Sequence, residues 1–199
     1  DQDHIHMLVD HNPTVPNRQD AILGEGEGED PGPALADMAR RLETAGADFL
    51  VIPCNTAYVF EQAIIDAVEI PLVSIIDVTI DAIPDGCSAV GLLATGGCLQ
   101  AGVYQRGLED RQLNALEPTA DEMGELMSAV NAIKAGKADA ATGGTLLALA
   151  QALIERGAGA IIAGCTEIPL ALEQSMVEVP LLSSTDILAQ RTVQLALSE

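Results

Sequence analysis

The chain of 199 residues is 48% hydrophobic, enough to bury a core in one large domain or two small ones, which excludes a disordered chain. Its 30 acidic side chains against 9 basic ones leave a formal charge of −21, a field that repels nucleic-acid backbones and anionic membranes. Apolar runs such as Ala158 to Cys165 are too short to cross a bilayer and no charged leader precedes one; the four cysteines form no C-x-x-C, so reduced thiols, a cytoplasmic location and neither nucleic-acid nor membrane partner are expected.

In chain order, His4 and His6 on a strand would share one face, but His11 adds no third ligand of established geometry, and no metal is expected. Asp10 has no assignable role. Residues 33–46, PALADMARRLETAG, place Leu35, Met38, Ala39 and Leu42 at helical spacing and stop at Gly46. The apolar run ADFLVIP then reads as a strand buried on both faces, with Cys54 at its carboxyl end. A helix and a proline-led strand follow over 61–77, EQAIIDAVEIPLVSIID. Residues 89–98, AVGLLATGGC, form a further strand that breaks into Thr95, Gly96 and Gly97, a turn whose N–H groups can face an anion. GTLLALAQALIERG (144–157) is again a helix stopped by glycine, AGAIIAG leads to Cys165, and EQSMVEVPLLSSTD (173–186) closes the chain's second half.

Residues 33–54 and 144–165 superpose without a gap at an offset of 111, and 61–77 resembles 173–186 after a short deletion. A duplicated βα unit predicts an α/β fold of two similar doubly wound parallel-sheet lobes related by a pseudo-twofold, with ligand at the carboxyl ends of the strands. The first lobe is expected to span 1–85 plus 178–199 and to carry Cys54. The second spans 86–177 and carries Cys165. Shifting 89–98 back by 111 falls before residue 1, so the first lobe is expected to lack its opening strand.

Two thiols facing one cleft suit proton transfer on opposite faces of a carbon: one thiolate removes the α-proton and the other thiol returns one from the far side. Because a free thiol titrates near 8.5, the working base is expected to be acidified by a helix start or hydrogen bonds. Asn55, Thr56, Thr166 and Glu167 stand directly after the thiols, placed to bind a carboxylate or orient a sulfur. Lys134 and Lys137, the only lysines, flank glycine in a polar turn unsuited to pyridoxal phosphate, so no cofactor is expected.

The strings NPTVPNR (12–18), ILGEGEGEDP (22–31), AGADFLVIPCNTA (45–57), GLLATGG (91–97) and GAGAIIAGCTEIPL (157–170), in order over nearly the whole chain, resemble the aspartate racemases of the aspartate/glutamate racemase superfamily. The resemblance implies a pyridoxal-phosphate-independent two-base racemase, commonly a homodimer, acting on a small acidic amino acid through Cys54 and Cys165. It also implies that Arg18 binds the side-chain carboxylate and that Lys134 has a similar task. Aspartate is expected ahead of glutamate; a broader aspartate/glutamate or hydantoin-type racemase and an inactive amino-acid-binding relative are the alternatives. Departures from the pattern are Tyr58 where the family reads His, Cys98 where threonine is expected, placed to line the pocket, and a lengthened GEGEGEDP loop. Cys87 is expected to pack, and Asp77 and Asp186 to cap helices.

Overall fold

The computed structural model describes residues 4–24 and 28–198. Part of the acidic GEGEGEDP loop therefore lies outside the described residues. Among the described residues, six strands in parallel pairings form two sheets. In the first, β1 (Leu50–Val51) pairs with β2 (Leu72–Val73); the second has four strands in the order β4-β3-β5-β6, with β3 at Ala89–Ala94, β4 at Asn114–Leu116, β5 at Ala160–Gly164 and β6 at Leu181–Ser183. The helices are α1 (Arg18–Leu23), α2 (Gly32–Thr44), α3 (Glu61–Ile65), α4 (Ile75–Asp81), α5 (Gly96–Ala101), α6 (Val103–Asp110), α7 (Ala120–Lys134), α8 (Ala140–Glu155) and α9 (Ser184–Ala196).

Alternation along the central strands explains their near-continuous apolar sequences. Val90, Leu92, Ala160 and Ile162 face a core shared with α4, α5 and α6, whereas Leu93, Ile161 and Ala163 face a second core under α7 and α8. Both faces of this sheet are thus covered. The smaller sheet packs on Leu35 and Ala39 of α2 and Ile64 of α3, and its β1 and β2 residues other than Leu50 are only half-buried.

The duplication is visible atom by atom. Gly46 and Gly157 both take left-handed backbone, at φ 96° and 102°, and end α2 and α8 alike: Gly46 N–H donates to Glu43 and Ala47 N–H to Leu42, while Gly157 N–H donates to Ile154 and Ala158 N–H to Leu153. Leu50 N–H donates to the Pro71 carbonyl at 2.8 Å and Ile161 N–H to the Pro180 carbonyl at 2.9 Å, so the residue leading the second strand of each pair acts as an acceptor and, being proline, has no N–H to leave unpaired.

Three expectations need correction. Residues 178–199 do not all go with the first sheet, because β6 pairs with β5 through Ile161–Leu181 and Ile162–Leu182; only α9 leaves the sheet, to pack against α4. Residues 5–12 lie in no strand, and His4, His6 and His11 are exposed. Asp77 and Asp186 are not caps: the caps are Ser74 and Ser183, whose side chains accept the Asp77 and Asp186 backbone N–H groups. Asp10, which had no role, pairs with Arg41 at 2.7 Å and ties the 5–12 segment to α2.

Candidate active site

Each thiol follows the carboxyl end of a strand and opens a tight turn. The Cys54 carbonyl accepts from Ala57 N–H at 3.2 Å and the Cys165 carbonyl from Ile168 N–H at 3.1 Å, equivalent bonds at the same offset of the repeat. Both turns run into 3-10 helix, Asn55–Phe60 and Ile168–Leu170, rather than the α-helix starts expected. Cys54 is half-buried and Cys165 is buried.

Cys165 is held as a thiol. Its S–H donates to Glu167 Oε2 at 2.9 Å, and the Thr166 hydroxyl donates to the same oxygen at 3.1 Å. Burial first, then the hydrogen bond to Glu167 and its charge, push the Cys165 pKa up to about 12, and the positive charge of Lys134 acts against them. The acidified thiol expected from a helix start is therefore not found at Cys165. The group is set as a proton donor.

A polar seam joins the Cys54 turn to the second lobe. Asn55, 2% exposed, accepts from the Tyr104 hydroxyl through Oδ1 at 2.6 Å and donates through Nδ2 to Ser184 Oγ at 3.1 Å; Ser184 Oγ donates in turn to the Ala163 carbonyl at 3.0 Å. Thr56 and Thr95 share a hydroxyl hydrogen bond at 3.1 Å. Asn55, Thr56 and Thr95 are thus brought together at the Cys54 turn, where the seam bonds leave Asn55 one amide hydrogen to donate to a ligand.

The two cations are placed differently. Arg18, half-buried at the start of α1, donates through Nη1 to the carbonyls of Pro16 at 2.9 Å and Val15 at 3.3 Å, which leaves its other guanidinium donors for a carboxylate. Lys134, exposed at the end of α7, lines a cleft of about 740 Å³ with Asn17, Gln19, Gly96, Met127 and Asn131. Neither thiol lines that cleft, which meets the site only through the glycine turn beside Thr95 and through Lys134.

The glycine turn is already bonded, since Gly97 N–H donates to Gln19 Oε1 at 2.6 Å. Tyr58, in the place of the expected His, is buried and donates its hydroxyl to the Val73 carbonyl at 2.8 Å; burial above all pushes its pKa up to about 12, so it serves neither as acid nor as base near neutrality. Cys98 does not line the pocket. It is fully buried in the core, where burial and then nearby Cys54 push its thiol up to about 12. Cys87 packs at the core margin and donates to the Ala89 carbonyl. Sequence reading missed Gln19, Tyr104 and Ser184. A signal existed for Tyr104, one of two tyrosines in a chain with 2% aromatic residues, because a buried phenol needs a partner.

A family model described as Asp/Glu/Hydantoin racemase matches residues 1–192. A broad specificity amino-acid racemase of Bacillus subtilis (strain 168) is 30% identical over 196 residues, which is 97% of this chain and 82% of that protein. Among solved structures, the Picrophilus torridus aspartate racemase superposes with a TM-score of 0.85 at 24% identity, covering 98% of this chain and 81% of its own. An aspartate racemase homologue from Pyrococcus horikoshii gives 0.74 at 28% identity over 89% of this chain and 79% of its own.

Proposed function

The chain belongs to the Asp/Glu/hydantoin racemase family, and from that premise we propose that it inverts a small acidic amino acid, aspartate ahead of glutamate, by proton transfer between Cys54 and Cys165. It is an isomerase of the racemase class; the substrate and the roles of individual residues are the proposal. The observation that carries the reading is the repetition of one local structure around two thiols, down to the same carbonyl bond at Cys54 and Cys165.

In this mechanism the Cys54 thiolate takes the α-proton and its electron pair is left on the α-carbon, delocalised into the adjacent carboxylate. The Cys165 S–H then delivers a proton to the opposite face, leaving a thiolate at Cys165 and a thiol at Cys54. The reverse reaction exchanges these roles. Arg18 binds the side-chain carboxylate with its free donors, Lys134 adds positive charge, and Asn55, Thr56, Thr95 and Thr166 hold the α-carboxylate. Glu167 keeps Cys165 protonated until the carbanion forms. A homodimer, a cytoplasmic location, independence from any cofactor, and a division into a Cys54 lobe and a Cys165 lobe accompany the reading.

A broader amino-acid specificity is the second reading. It is favoured by the engagement of Arg18 Nη1 with two backbone carbonyls, which weakens its claim as a dedicated carboxylate clamp.

Incubating the chain in deuterated water with L-aspartate, L-glutamate and neutral amino acids tests both. The expected result is D-aspartate carrying α-deuterium, with Arg18→Ala lowering kcat/KM for aspartate roughly 10- to 100-fold while sparing neutral substrates. An equal loss on all substrates favours the broad reading. Absence of α-exchange with every amino acid contradicts the mechanism.

A further inference from the structure

Three side chains between 0% and 2% exposed form one directed relay: Tyr104 on α6, Asn55 in the Cys54 turn and Ser184 at the start of α9. Tyr104 donates to Asn55, Asn55 to Ser184, and Ser184 to the Ala163 carbonyl, two residues before Cys165. The donors all run one way, and the chain ends on the strand that carries the second thiol. Neither Tyr104 nor Ser184 reaches the chemistry itself, and buried polar groups persist only where they are mutually satisfied. We propose that Tyr104 and Ser184 are positioning residues, which clamp Asn55 and so hold the Cys54 turn in fixed register with the Cys165 strand.

The arrangement makes sense for this reaction, on whose proposed mechanism the inference rests. Inversion requires two sulfurs on opposite sides of one carbon at the same moment, so the separation of the two turns has to be stiff. The pairings along each sheet cannot supply that stiffness, because β1 and β5 lie in different sheets. The relay crosses between them, from a residue adjoining Cys54 to the strand leading to Cys165. Its middle member is an amide with both ends engaged, so its orientation is fixed from two directions.

Tyr104→Phe keeps the buried ring and deletes one bond, and Ser184→Ala deletes the other. In the full chain, alkylation of Cys54 by iodoacetamide, followed residue by residue with half-buried Cys87 as internal reference, is expected to accelerate about fivefold in either variant. The kcat for the racemised amino acid is expected to fall on the order of 10- to 100-fold with KM little changed. The double variant is expected to be no worse than the more affected single one, because both bonds act through Asn55. An unchanged ratio of Cys54 to Cys87 alkylation, with melting temperature recorded alongside, overturns the proposal, as does a wild-type kcat in Tyr104→Phe. Failure of the wild-type chain to racemise any amino acid counts instead against the proposed function, and the alkylation ratio then decides the clamp by itself.

Discussion

Cys165 and Glu167 show how a thiol is kept as a proton donor. With burial, and then a carboxylate that both accepts the S–H and repels a thiolate, the pKa stands at about 12, well above the ordinary thiol range. A raised pKa means that the proton is retained as pH rises through the ordinary range and is released only near the folded value. Glu167→Gln removes the negative charge but keeps an acceptor oxygen, so the Cys165 pKa should move down, on the order of one pH unit, and stay above the ordinary value because burial remains. The pH dependence of Cys165 alkylation checks this: onset should shift to lower pH in Glu167→Gln, and an unchanged or higher onset would show that the carboxylate does not control the thiol. The sequence made both thiols visible because they recur at one offset, and Glu167 because it stands two residues after Cys165. It could not show the direction of the shift at Cys165, which burial within the folded core decides. Nor could it pair Tyr104 with Asn55, 49 residues away.

At the scale of the element, α8 carries two adjacent glycines with opposite physical demands. Gly144 is exposed, and a Cβ there meets nothing within 4 Å, so Gly144→Ala should stabilise the fold by about 0.5–1 kcal/mol through helix propensity. Gly143 is buried, and a Cβ there comes within 2.8 Å of the Ala171 backbone carbonyl, so Gly143→Ala should destabilise by about 1–3 kcal/mol. Urea unfolding of the two variants tests the pair; the reverse order would mean that α8 does not seat against the turn after Cys165 as described. Helices with glycine stops and buried strands were legible because period and punctuation are local properties. Less legible were the 3-10 turns after each thiol and the backbone at His4 and His6, which pairs with no strand among the described residues.

For the whole molecule, the internal duplication predicts most of the architecture: glycine-ended helices, first strands and a thiol after each recur at one offset, and the proline-led second strands recur after a short deletion. The partition of the chain between lobes was harder to read. Strand β6 pairs with β5 as its counterpart β2 pairs with β1, and what the repeat does not encode is that α9, the helix after β6, packs against α4. The two sheets meet through a buried seam of polar side chains rather than through a continuous ladder. In the proposed clamp, that seam holds the Cys54 turn in register with the strand before Cys165. The most direct measurement is α-deuterium exchange from each pure enantiomer of aspartate by Cys54→Ala and Cys165→Ala. Each variant should lose racemisation by at least about 10²–10⁴-fold while exchanging the α-proton of one enantiomer only, and of opposite enantiomers in the two variants. Racemisation surviving in either variant, or exchange of the same enantiomer by both, would contradict a site in which each sulfur serves its own face of the carbon.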